Sequence, residues 1–127
     1  MKLRCLLGVA AVVTCVALLG TGCERLGKKS PQQVVQAFFA AGNAGKYSEA
    51  EQYLTPSAKA MMVLAGGIKK FVDHETKDGK IDRVEILTVE TRGEGAKITY
   101  KIHYKDGETK NDDVSLIIEN GEWRIAG

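Results

Sequence analysis

Tyr100 and Tyr104 lie on the apolar side of an alternating stretch that runs from Ala96 to Lys105. Inside an apolar site a tyrosine hydroxyl can donate to a developing oxyanion. The reaction also needs a base, usually a carboxylate whose pKa has been raised by burial. The side chains expected to face inward are Val34, Val35, Phe38, Phe39, Ile98, Tyr100, Ile102, Tyr104, Leu116, Ile118, Trp123 and Ile125. No carboxylate and no histidine is among them, so no general base is in sight and no catalytic residue is assigned. Phe38, Phe39, Tyr100, Tyr104 and Trp123 are instead the candidate lining of an apolar pocket, with core packing as the plainer role of the two adjacent phenylalanines.

The other reactive side chains point to less. His103 falls on the wet side of the same alternation, between Lys101 and Lys105, and His74 sits in Asp73-His74-Glu75. Neither has metal-ligand spacing, and a zinc site needs three or four convergent ligands, so no metal is expected. Asp78, Asp82, Asp112 and Asp113 read as turn and surface acids. No glycine loop suited to phosphate and no G-x-S-x-G motif occurs, so no cofactor is expected. The cysteines are Cys5, Cys15 and Cys23.

Those cysteines belong to the start of the chain. Lys2 and Arg4 precede an apolar run from Leu6 to Leu19, and the small residues Gly20-Thr21-Gly22 lead to Cys23. Basic start, apolar run and small residues are the layout of a secretory signal. The rival is an uncleaved helix, because the 19 residues from Cys5 to Cys23 carry no charge and suffice to cross a bilayer. Small residues ending at a cysteine resemble a bacterial lipoprotein signal with its lipobox, in which the cysteine becomes the acylated first residue. Cys23 is the match and Gly22 and Thr21 fit, whereas Gly20 stands where an aliphatic residue is usual. The resemblance implies lipidation at Cys23 (palmitate or a similar acyl chain). It also implies an envelope location, by default the outer membrane facing the periplasm in a Gram-negative cell, since Glu24 is not the aspartate that favours inner-membrane retention.

The division expected is therefore a signal over residues 1–22, a lipidated cysteine and tether over 23–30, and one domain over 31–127. Removing the signal takes away Lys2 and Arg4 and leaves 16 basic against 16 acidic residues. A neutral, mixed surface argues against nucleic-acid binding, which needs a basic face. Removal also leaves no pair of cysteines for a disulfide.

Within the domain, Ser30-Pro31-Gln32-Gln33 opens a helix as a capping box with proline first inside. Val34, Val35, Phe38 and Phe39 form its apolar stripe, and Gly42 and Gly45 are expected to end it. Ser48 is expected to cap a short second helix, with Glu51 completing the box. Thr55-Pro56 starts a third, broken by Gly66-Gly67, and Ile68, Phe71 and Val72 mark one or two further turns up to His74. From Lys80 the period becomes two. Val84, Ile86 and Thr88 should face one way and Leu87 and Val89 the other. Further strands carry Ala96 to Tyr104, then Val114, Leu116 and Ile118, then Trp123 and Ile125, with turns at Gly93-Glu94, Asp106-Gly107 and Asn120-Gly121.

The order of elements, with Ser30-Pro31-Gln32-Gln33-Val34-Val35-Gln36-Ala37-Phe38-Phe39, Gly45-Lys46-Tyr47-Ser48-Glu49-Ala50, Leu54-Thr55-Pro56-Ser57 and Asn120-Gly121-Glu122-Trp123-Arg124-Ile125, resembles the nuclear transport factor 2-like superfamily and its small bacterial lipoproteins. The resemblance implies an α+β cone, with helices packed on a curved four-stranded antiparallel sheet. That fold hosts enzymes, binding modules and dimerisation domains alike. The expectation is a non-catalytic, lipid-anchored protein that takes a small apolar ligand or an envelope protein partner in the cone. An isomerase- or dehydratase-like enzyme using the same cone is the alternative, and would need a carboxylate beside Tyr100 or Tyr104. A structural or dimerisation module is a third reading; its interface would be the outer face bearing Thr99, Lys101 and His103, which is polar.

Overall fold

The computed structural model describes residues 28–127. The predicted signal, Cys23 and tether residues 24–27 lie outside the described residues. The elements run α1 (Pro31–Asn43), α2 (Tyr47–Glu51), α3 (Pro56–Leu64), α4 (Ile68–Thr76), β1 (Ile81–Arg92), β2 (Gly95–Tyr104), β3 (Thr109–Glu119) and β4 (Glu122–Ile125). The strands form one antiparallel sheet in the order β1-β2-β3-β4. The described elements share one core.

Local sequence explains most of the boundaries. Ser30 accepts from Gln33 N at 3.3 Å and its own N–H donates to Gln33 Oε1 at 2.9 Å, which is the expected capping box. Thr55 accepts from Ala58 N at 3.1 Å. Gly66 and Gly67 part α3 from α4 with φ of 107° and 104°, a region L side chains avoid. Asn120 and Gly121, with φ of 54° and 79°, make the tight β3–β4 turn.

Three expectations need correction. Ser48 does not cap α2: the helix begins at Tyr47, after Lys46, with no side-chain cap. Helix α4 runs on past His74 to Thr76 and ends where Lys77 takes a left-handed conformation. Gly42 does not end α1. It lies inside the helix as a close-approach residue, because a Cβ there would stand 2.6 Å from Val72 Cγ1 on α4. We expect Gly42→Ala to destabilise the domain by about 1–3 kcal/mol of overpacking, less about 1 kcal/mol regained in helix propensity. The same change in a Val72→Ala background should be near neutral. Urea midpoints of the four variants measure the difference.

The sheet owes its shape to irregular pairing. Ile86 pairs with Tyr100 but Thr88 with Thr99, so Leu87 is an extra residue in β1, and Asp82 is another. Beyond Leu87 the phase flips. Val89, opposite Ile98, shares the inner face, and Thr88 turns outward, the reverse of the expected alternation. Bulges bend a strand and increase its twist, which lets the sheet curl around α1.

The core sits between α1 and the inner face of the sheet. Val35, Ile98 and Ile102 are fully buried, and Val34, Phe38, Phe39, Tyr100, Tyr104, Leu116 and Ile125 are buried with them. Ile118 and Trp123 are half-buried at the β3–β4 edge. Two ties hold the helices to the strands. The Asn43 side chain pairs with the backbone of Ile81 like a short strand, accepting at 2.9 Å and donating at 3.3 Å. Ile125 N donates to Tyr53 O at 2.7 Å while Thr55 N donates to Ile125 O at 3.0 Å. The outer face is polar, with His103 Nε2 2.8 Å from Glu85 Oε1.

Candidate functional site

Between the helices and the sheet a cavity of about 380 Å³ opens to the surface. Helix α1 supplies Val35, Phe38 and Phe39, and α3 supplies Ala58, Met61, Met62 and Ala65. Phe71 and Glu75 come from α4, Tyr100 from β2, Asp112, Asp113 and Val114 from β3, and Ile125 from β4. The i to i+4 stripe of α1 points the two phenylalanines at the sheet. Their rings meet edge-on at 5.3 Å, and Phe39 tilts against Tyr100 at 5.2 Å.

Of the five candidate pocket residues, the fold brings Phe38, Phe39 and Tyr100 to this cavity. Tyr104 faces a separate polar groove bounded by α4 and the β2–β3 turn. There its hydroxyl donates to Glu75 O at 2.6 Å and Lys77 Nζ stands 4.4 Å above its ring. Trp123 lies with Lys29, Val34 and Tyr53 at the far end of the sheet.

The cavity also holds carboxylates not expected there from the sequence. Glu75 lines it with its side chain only 13 % exposed, and Lys110 Nζ donates to both carboxylate oxygens at 2.8 and 3.0 Å. Asp112 pairs directly with Tyr100 across β2 and β3. The signals were present. Ile68, Phe71, Val72, Glu75 and Thr76 fall at i, i+3, i+4, i+7 and i+8, one helix face. Counting back by two from Val114 puts Asp112 and Lys110 on the inner face of β3.

Tyr100 is the buried polar group without an obvious role. It is 5 % exposed, and among the described residues its hydroxyl has no hydrogen-bond partner. Burial, aided by the carboxylates of Asp112 and Glu75, holds the hydroxyl far above the ordinary tyrosine range. It is therefore a neutral phenol at any physiological pH. The native state keeps this proton more tightly than the unfolded chain, whose tyrosines ionise near pH 10. Stability should thus be unaffected by this group below about pH 10 and fall above it. Denaturant midpoints taken on either side of that pH should show a shallower decline in Tyr100→Phe; an identical decline would refute the assignment.

Chemically, the arrangement joins an apolar chamber, one neutral hydroxyl and a mouth with carboxylates. Among the described residues no cluster of three or more His, Cys, Asp or Glu is placed to hold a metal ion, and no helix is long and apolar enough to cross a membrane.

The sequence profile of the family described as domain of unknown function DUF4878 matches residues 23–126. The chain belongs to this family. The DUF4878 domain has the NTF2-like fold, four helices on a curved antiparallel sheet. It is similar to a Campylobacter jejuni protein described as an NTF2-like transpeptidase, with a TM-score of 0.64, 14% identity, and 78% of this chain and 99% of that one covered. It is also similar to a SEC-C motif containing protein from Rhodopseudomonas palustris, with a TM-score of 0.51, 12% identity, and 77% and 76% covered. A de novo designed protein with a curved β-sheet aligns with a TM-score of 0.50, 20% identity, and 75% and 80% covered. At such identities the likeness is one of fold alone. No curated protein matches the sequence.

Proposed function

We propose that this DUF4878 protein is a lipid-anchored component of a bacterial cell envelope that binds a small apolar ligand in its cavity without transforming it. The observation that carries the binding reading is the cavity of about 380 Å³, walled by Val35, Phe38, Phe39, Met62, Phe71 and Val114. Preformed, mostly apolar concavities of this size with a few polar groups are the usual form of small-molecule sites. The anchor is supported by the signal-like layout of residues 1–22 and by a family match that begins at Cys23. An apolar segment of an envelope protein is the other occupant the cavity admits.

One observation favours an isomerase or dehydratase as the second reading: Glu75 and Tyr100 line the same apolar chamber. The reading of Glu75 as a base is opposed by Lys110, which occupies both carboxylate oxygens. Native mass spectrometry of the protein purified from membranes tests both. We expect a copurifying apolar molecule, absent from Val114→Trp, in which the indole fills the chamber while circular dichroism stays native. A chamber empty in both proteins would remove the ligand reading. If the released molecule, returned to the protein, is isomerised or loses water, the catalytic reading replaces it.

A further inference from the structure

The cavity wall is apolar, but its mouth carries carboxylates. The inner face of β3 brings Asp112 to it and α4 brings Glu75. Lys110, two residues before Asp112 on the same face, bonds Glu75 and offsets its charge, which leaves Asp112. Among the described residues Asp112 makes no salt bridge, and the one hydrogen bond of its side chain is from Asp113 N at 2.8 Å. Tyr100 is directly opposite Asp112 in the strand pairing and is 95 % buried with its hydroxyl unpaired. A buried, unpaired hydroxyl is costly unless a ligand completes it.

We infer that the ligand is a cationic amphiphile, whose apolar body fills the chamber and whose ammonium group sits between the Tyr100 hydroxyl and the Asp112 carboxylate. Each partner suits such a head. The hydroxyl oxygen accepts an N–H, the Asp112 carboxylate supplies opposite charge, and the Tyr100 and Phe39 ring faces favour a cation nearby. A carboxylate or sulfate head would meet like charge at the same place. This inference rests on the cavity-binding reading and adds the chemistry of the head group.

The test uses the full chain with decylamine, decanol and decanoate below their micelle concentrations. Titration calorimetry at neutral pH should rank decylamine about tenfold tighter than decanol, with decanoate weakest. High salt should narrow the gap, because Asp112 is exposed. Asp112→Asn should bring decylamine down to decanol. Tyr100→Phe should weaken decylamine severalfold with the fold retained. Equal binding of all three, or a preference for decanoate, overturns the head-group inference and leaves apolar binding standing. Failure of all three to bind overturns the cavity reading itself.

Discussion

Truncating Phe39 to alanine should cost the domain about 3–5 kcal/mol, much of the 5–15 kcal/mol that a domain of this size commands. Phe39 is 6 % exposed, meets Phe38 edge-on and tilts against Tyr100. Its removal forfeits the transfer free energy of a benzyl group and two aromatic contacts. The loss should be near the top of the range because the space left behind joins a chamber that is already open, so little can collapse into it. Urea denaturation measures the loss, and a midpoint close to wild type would show that the chamber closes up. Tm should fall by well over ten degrees, since each kcal/mol is about 4–8 °C in a domain of this length. Trp123→Ala, at a half-buried site away from the cavity, should cost clearly less.

Replacing Cys23 by alanine should detach the protein from the membrane or leave its signal in place. The acyl chain is the whole of the proposed anchor, and each buried methylene contributes about 0.8 kcal/mol. Without it the folded part offers no membrane-spanning helix among the described residues. Fractionation of cells carrying wild-type and variant chains, with fatty-acid labelling, reads the result. A variant that is fully processed and still membrane-bound would defeat the lipidation proposal. Gly20, three places before the cysteine, is where the signal departs from the usual pattern, and Gly20→Leu should process at least as efficiently as the natural sequence.

The strands were legible because β2 alternates without a break and the turns after β2 and β3 carry Asp-Gly and Asn-Gly. The caps were legible where Ser30 and Thr55 precede prolines. What escaped was phase and proximity. In Val84-Glu85-Ile86-Leu87-Thr88-Val89 apolar residues stand at both parities, so nothing local marks Leu87 as the extra residue; only pairing with β2 reveals it. Gly42 looked like a helix stop because its purpose, close approach of Val72, lies thirty residues away in the chain. Of the pocket, the α1 and β2 contributions could be read from periodicity. Glu75 could have been read the same way, but its charge suggested surface, and pairing with Lys110 lets it lie largely buried at the cavity mouth; Asp112 is exposed, as an acid at the surface should be. Tyr104 and Trp123 share the inner face with Tyr100, yet the face is longer than the chamber, and periodicity assigns a side chain to a face and not to a position along it.

The roof of the chamber has a consequence for time as well as for affinity. Helix α3 buries only Ala58, shows Met61, Val63 and Leu64 to the outside, and is followed by two glycines. It is fastened to the sheet at its start, by Thr55 on Ile125, and lightly thereafter. Segments so lightly held are the ones that open locally, at free energies far below that of global unfolding. For the proposed ligand, widening of the chamber by such an opening, and not the stability of the whole, would then set the residence time. Mutations that strengthen the core would leave the protein harder to denature without slowing the exchange of such a ligand.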